Sequence, residues 1–260
     1  MTLLSLAIYN DRTAGVILSG KRGSLTITDV FSAGSTAELF EKNDRLKKNG
    51  ITNACLTFSD SFVTYFFNSF KGAKESDINK IIGFKVKDYI AFPPEEAIIG
   101  YKEISKDTEG KAEVFSAVIE RKIVKGSEEL LYSRGISNFT CTTSSFPFLN
   151  FVETEAYALV TGFKDSTTIF FVSGGKLIYA RKMKPDLKDE FVKTMAFYSN
   201  KYKETPVGTL YTVGNVNTDG IELPVKAIDP MQYVKTEKSL SLDKETAELI
   251  LPAIGAAICI

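Results

Sequence analysis

Apolar positions in the first part of the chain come in short runs broken by polar turns. Residues 3–9 are nearly all apolar and are followed by Asn10-Asp11-Arg12. Residues 14–18 form a second run, ended by Ser19-Gly20-Lys21-Arg22-Gly23, and residues 25–31 alternate apolar with polar. Such runs predict three strands joined by tight turns. Ser35-Thr36-Ala37-Glu38 has the spacing of a capping box. Leu39, Phe40 and Leu46 give the following helix an apolar side, and Gly50 stops it. A β-rich stretch follows over residues 54–70. Ser76 then caps a helix in which Ile78, Ile81, Ile82, Val86 and Ile90 share a face. Phe92-Pro93-Pro94 ends that helix, because a residue before proline is pushed out of the helical region.

Residues 99–104 and 114–119 read as two strands joined by a charged loop with Lys106, Asp107, Glu109 and Gly110. A helix through Ile123, Val124, Leu130 and Leu131 runs to Gly135. The opening theme then returns. Residues 156–160, 168–172 and 177–180 are again three short strands, the second turn being Ser173-Gly174-Gly175. After Pro185 comes a helix carrying Leu187, Phe191, Thr194, Met195 and Tyr198. Each half is a β-meander followed by a helix, an internal duplication of pattern without sequence identity. Two such halves meet at a cleft, with the first turn of each pointing into it.

Composition narrows the chemistry. The 260 residues include 32 basic and 32 acidic side chains and no histidine or tryptophan. Without histidine there is no Ser-His-Asp or Cys-His machinery and no imidazole for zinc. Zero net charge argues against a nucleic-acid-binding role. Cys55, Cys141 and Cys259 are widely spaced and form no CxxC, so they read as small buried hydrophobes of a reducing compartment. The N-terminus lacks the basic region of a signal peptide, and no apolar run reaches the roughly 18 residues of a membrane span. Residues 249–260 are apolar or small and read as a core helix, the alternative being the start of a transmembrane segment. Residues 15–21 spell GxxxxGK, but Arg22 stands where a phosphate-binding loop needs Ser or Thr.

Lys87-Asp88-Tyr89-Ile90-Ala91-Phe92-Pro93-Pro94-Glu95-Glu96-Ala97 resembles the helix-end signature of the PilM-like proteins, actin-like proteins of type IV pilus assembly. Four later stretches resemble that family in order: residues 113–135, 175–181, 225–230 and 253–257. The chain is also similar to the GspL cytoplasmic domain of type II secretion. The resemblance implies an α/β protein with mixed sheets and a trimmed actin-like ATPase fold. Its halves are duplicated ribonuclease H-like meanders, with a small inserted subdomain. It divides the chain into a first half (1–90), an inserted subdomain with the return to the core (91–150), and a second half with the C-terminal helix (151–260).

In actin-like ATPases two hairpin turns hold the phosphates through backbone N–H groups, with an aspartate in each placing Mg²⁺ or water. Here the Asp and Gly positions of the first turn fall on Ala7 and Tyr9, those of the second on Thr161 and Phe163. Asn10, Asp11, Arg12 and Thr13 in the first, and Asp165, Ser166 and Thr167 in the second, remain as polar turns. The bulk of Tyr9 is expected to deny the approach that glycine permits. The Gly-Gly loop near the adenine matches only Gly214-Asn215. The resemblance with degenerate loops therefore implies a non-catalytic protein without cofactor, ATP and Mg²⁺ being disfavoured. The alternatives are a working ATPase with divergent loops, or a GspL-like domain cut before its transmembrane helix.

The resemblance further implies docking of the cytoplasmic tail of a PilN-like inner-membrane protein, in a groove between core and inserted subdomain. Tyr89, Phe92 and Pro93 are the candidates for shaping that groove. Contacts with the assembly ATPase and self-association are further implied partners. Nucleic acid is not, and the protein is expected in the cytoplasm, reaching the inner membrane only through partners. Asp11 and Asp165 read either as a cross-cleft metal pair or as ordinary turn residues. Lys42, Arg45, Lys47 and Lys48 read as a solvated helix end. Alternation over Phe62, Tyr65, Phe66, Phe67 and Phe70 places some rings in the core and some on an edge surface open to docking.

Overall fold

Strands β1 (Thr2–Ile8), β2 (Thr13–Lys21) and β3 (Ser24–Ala33) form an antiparallel meander. The computed structural model describes residues 2–259 except 22, 44, 45, 47–49, 72–74, 107–110, 155, 185, 186 and 202–205. Arg22, Arg45, Lys47, Lys48, Asp107, Glu109, Gly110 and Pro185, and the Ser76 side chain, lie outside the described residues. Helix α1 (Thr36–Lys42) follows the meander. Its cap is Ser35, whose hydroxyl accepts the Glu38 N–H at 3.2 Å, while Glu38 reaches back to the Gly34 N–H at 2.7 Å. β4 (Asn53–Phe58) then lies parallel to β1, and β8 (Asn138–Thr143) parallel to β4.

The second half repeats this plan. β9 (Ala156–Phe163), β10 (Ser166–Ser173) and β11 (Lys176–Met183) form the meander, and α4 (Leu187–Lys201) follows. β12 (Leu210–Gly214) and β13 (Val225–Ala227) add in parallel. The strand orders match, β3-β2-β1-β4-β8 in one sheet and β11-β10-β9-β12-β13 in the other. The duplication read from the apolar pattern is therefore a duplication of topology.

Between β4 and β8 sits the inserted unit of β5 (Val63–Lys71), α2 (Glu75–Lys85), β6 (Ala97–Lys106) and β7 (Lys111–Glu120), followed by α3 (Arg121–Ser133), which packs Val124 and Leu131 on the first half. β5, β6 and β7 form one sheet in the order β5-β7-β6. Phe66, Phe70, Ile78, Ile82, Val86, Val114 and Val118 share its core. The unit thus begins with β5 at Val63 rather than at residue 91. β5 hydrogen-bonds to β7, and α2 buries Ile78 and Ile82 on that sheet, with Val86 of the turn just after it.

The chain end also departs from the expected division. β14 (Val234–Thr236) pairs in parallel with β3, and α5 (Lys244–Cys259) packs on β1, β2 and β4. Both belong to the first-half sheet, because the apolar face of that sheet needs the cover α5 supplies. Leu3, Ala7 and Tyr9 face this helix and the second half, while Leu4, Leu6 and Ile8 face the outer layer with α1 and α3. β9 divides the same way, Tyr157 and Leu159 inward, Ala158 and Val160 towards Phe191 and Tyr198 of α4. Central strands covered on both faces explain why residues 3–9 read as a continuous apolar run. Gly255 of α5 packs so tightly that an added Cβ would sit 2.5 Å from the Phe148 ring.

Candidate functional site

The two first hairpins meet where the halves face each other. The turn between β1 and β2 is closed by the Tyr9 N–H on the Arg12 carbonyl, at 2.8 Å. Asn10 then donates its main-chain N–H to Asp165 Oδ2 at 3.0 Å. Ser59, just after β4, donates its hydroxyl to Asp165 Oδ1, and Ser61 donates to Oδ2 at 3.2 Å. The Asn10 amide donates to Ser61 Oγ at 3.0 Å, and Ser59 Oγ lies 3.3 Å from Ser166 Oγ. On the outside Lys164 pairs with Asp11 at 2.7 Å, and Arg12 pairs with Glu245 of α5 at 2.8 Å. The Lys164 contact holds the Asp11 carboxyl below its ordinary pKa. Asp11 and Asp165 therefore face different partners and do not form a metal pair. Among the described residues there is no group of three or more potential metal ligands.

The aromatic residues at the two glycine positions do not stand in the cleft. Tyr9 is buried and donates its hydroxyl to the Leu249 carbonyl of α5 at 2.8 Å. Phe163 packs on Phe148, with ring centroids 5.6 Å apart. Both rings point into the core shared by the halves. What fills the space between the hairpins is the Asp165 carboxylate and its serine partners, not the bulk of Tyr9. Residues 15–21 lie within β2, a continuous strand and not a phosphate loop. Thr13 is buried with its hydroxyl 3.0 Å from that of Thr36, and Thr167 lies in β10.

Gly214-Asn215 is closed as well. Gly214 has φ +77°, and an added Cβ would meet the Gly162 carbonyl oxygen at 2.2 Å. Asn215 donates its N–H to that same carbonyl at 2.8 Å. The glycine serves a backbone-to-backbone contact between β12 and β9.

Behind the clasp lies Asp60, fully buried. It accepts the Ser144 hydroxyl at 3.0 Å and the Ser145 hydroxyl, and its own N–H donates to Ser144 Oγ at 3.1 Å. Ser145 Oγ in turn touches Thr161 Oγ1 of the second half. Burial, with Asp60 nearby, pushes the Tyr65 hydroxyl well above the ordinary tyrosine value. Ser59, Asp60, Ser61, Ser144, Ser145 and Lys164 escaped the reading of the sequence. Their signal is a Ser-Asp-Ser triplet directly after an apolar strand, and a Ser-Ser pair after another, each at a strand end facing the cleft.

A groove of about 1030 Å³ opens elsewhere. Its rims include Gly100 to Ile104 of β6 and Thr140 to Thr143 of β8, each the edge strand of its sheet. Leu149, Tyr157, Val172 and Leu177 supply apolar lining, and Lys102, Glu103, Glu128 and Lys176 add charge. Cys55, Cys141 and Cys259 all line it. Burial raises the Cys55 thiol, whereas Cys141 is exposed and Cys259 half-buried, so the reading of the three as small buried hydrophobes holds for Cys55 alone. Tyr89, Phe92 and Pro93 do not line this groove. Tyr89 stacks on Phe66 with centroids 4.4 Å apart, Phe92 packs on the core of the inserted unit, and Pro93 is exposed.

Two halves of one topology, joined face to face through their first hairpins, define an actin-like fold. Solved structures carry the same architecture. The PilM-PilN type IV pilus biogenesis complex superposes with a TM-score of 0.66 at 13% identity, covering 100% of this chain and 97% of that one. The cytoplasmic domain of EpsL, an inner-membrane component of the type II secretion system of Vibrio cholerae, gives 0.60 at 10% identity over 98% and 95%. A protein of actin-like ATPase fold and unknown function from Bacteroides thetaiotaomicron gives 0.58 at 14% over 89% and 94%. No protein-family model and no curated protein matches the sequence. Among the described residues no helix is long and apolar enough to cross a membrane.

Proposed function

We propose that this chain is a non-catalytic, actin-like assembly protein of a type IV pilus or type II secretion inner-membrane platform. It works on the cytoplasmic side, docking the tail of a PilN-like membrane partner in the groove between β6 and β8. The observation that carries the reading is the contrast between the two sides of the fold. At the hairpins, the N–H of Asn10 and the carboxylate of Asp165 are spent on each other. Mg-ATP is disfavoured at such a set, because the Asn10 N–H is taken up by Asp165 and that carboxylate is held by Ser59 and Ser61. At the groove, two edge strands present unpaired main-chain groups beside apolar lining. An extended peptide gains main-chain hydrogen bonds on such an edge and pockets for alternate side chains.

The test is titration of a synthetic peptide, the cytoplasmic tail of a PilN-like single-span membrane protein. Leu177→Lys is expected to weaken binding about tenfold or more. Phe92→Ala, outside the groove, leaves it unchanged. Equal affinity for wild type and Leu177→Lys removes the groove as the site. In parallel, millimolar MgATP leaves the melting temperature where it was. A binder saturated at 100 Kd would gain about 2.7 kcal/mol, and a shift of that order overturns the reading without a nucleotide, while ATP turnover would overturn the non-catalytic one. Similarity to the EpsL cytoplasmic domain supports a second reading, a GspL-like domain, with the same groove and the same peptide test.

A further inference from the structure

Gly100 stands within β6 with no internal reason to be glycine. Its backbone is not left-handed. A Cβ built on it would meet only the Ala117 carbonyl oxygen, at 4.0 Å. Glycine in a strand interior weakens the strand, because it loses more backbone freedom on folding and packs no side chain. At such a place it leaves room for something that approaches from outside the chain. Gly100 is exposed and lines the large groove.

The neighbours of Gly100 turn that room into a notch. Directly opposite it in β7 is Ala117, half-buried, and opposite Ala117 in β5 is Tyr65. On the same face, Ile98 pairs with Ile119 to one side of the glycine and Lys102 with Phe115 to the other. Tyr65 stacks on Phe115 with ring centroids 5.7 Å apart, and Phe146 stands edge-on to Phe115 at 5.3 Å. Ile98, Gly100, Phe115, Ala117, Ile119 and Phe146 all line the groove. The notch therefore has a floor of Gly100 and Ala117 between apolar walls. The charges of the groove, Lys102 and Lys176 against Glu103 and Glu128, balance in number. Apolar shape rather than charge decides what enters.

We propose that the notch over Gly100 and Ala117 takes one large apolar side chain, aromatic by preference, of an extended peptide whose main chain pairs with the free edge of β6. The inference rests on the docking reading above and sets what the docked segment must carry. β6 is an edge strand of its sheet, and a strand added to it turns every second side chain towards the groove. The residue that falls opposite Gly100 lies beside the gap, and a cross-strand ring covers a glycine in this way. Ile98 to Ile104 covers about 20 Å of strand, so about seven residues pair along it. A fatty acyl chain would fill the notch but leave the N–H and C=O groups of the β6 edge unpaired. A nucleic acid strand would meet balanced charges, which give a run of phosphates nothing to gain.

The probe is a displayed library of short random peptides selected on the full chain, with enriched sequences labelled and titrated by fluorescence anisotropy. The expected winners share a Phe, Tyr, Trp or Leu at one position, and replacing it by Ala weakens them about tenfold or more. Gly100→Val fills the notch with a strand-favouring side chain, so the melting temperature is not lowered. It weakens the winners by a similar factor but hardly changes binding of their Ala-substituted forms, and that non-additivity places the side chain over Gly100. Hydrogen exchange on the wild-type protein, which needs no variant to fold, shows protection of β6 amides when peptide is added. Winners with no large apolar residue in common, undiminished binding to folded Gly100→Val, equal loss for the parent and Ala-substituted peptides, protection that spares β6, or displacement by decanoate would each overturn the proposal. Winners weakened by Leu177→Lys but not by Gly100→Val overturn the notch alone and leave groove docking standing. Winners indifferent to both remove the groove as well.

Discussion

Asp165 accepts the main-chain N–H of Asn10 at 3.0 Å, so the first hairpin of one half is bonded directly to the first hairpin of the other. This contact is a clasp between the two halves. Ser59 and Ser61 add two more donors to the same carboxylate. Hydrogen bonds to a charged group contribute about 1.5–3 kcal/mol, and water recovers part of that at a half-exposed site. Asp165→Ala is expected to lower stability by about 1–3 kcal/mol, read as a lower urea midpoint at unchanged m value. Lys164→Ala, which breaks only an exposed ion pair, is expected to change the midpoint far less. Equal effects would refute the clasp.

The Asp11 carboxyl titrates below its ordinary value because Lys164 stabilises its charged form. A depressed folded-state pKa means the contribution is present above the unfolded value of about 3.9 and is lost as pH falls through the folded one. Carboxyl-carbon NMR titration should place the Asp11 midpoint low, and Lys164→Ala should move it back up. An unmoved midpoint would mean that the pair does not persist in solution.

Gly214 cannot carry a side chain without cost. Its φ of +77° disfavours other residues, and the Gly162 carbonyl occupies the space a Cβ would need. Gly214→Ala is expected to cost at least about 2 kcal/mol in denaturant unfolding. Gly174→Ala, where a Cβ meets nothing within 4 Å, separates backbone strain from contact and should cost less.

Asp60 depends on two serine hydroxyls in the core. Ser145→Ala leaves one carboxylate oxygen with its donor removed, at a cost of about 1–3 kcal/mol. Ser133→Ala, which removes an exposed hydroxyl from the end of α3, is the control expected to be near neutral. Comparable unfolding curves for the two variants would show that Asp60 does not rely on Ser145.

Much of the fold is legible locally. A strand covered on both faces is a continuous apolar run, as residues 3–9 show. The polar turns Asn10-Asp11-Arg12 and Lys164-Asp165 mark where paired strands reverse. The Ser35 cap is legible because donor and acceptor lie three residues apart. The candidate site was legible only in part, since Asn10 and Asp165 stood out as turn residues while their partners Ser59 and Ser61 looked like any strand-end serines.

The sequence by itself determined two meanders of one pattern and a histidine-free chemistry. These are properties of residue type and near-neighbour spacing. Only the tertiary structure decided that Tyr9 turns under α5, that β14 and α5 return to the first sheet, and that the inserted unit starts with β5 at Val63. It also decided that Asp165 closes the cleft. Each of these depends on contacts between residues far apart in the chain, and sheet pairing and burial set such contacts across distances that no local periodicity encodes.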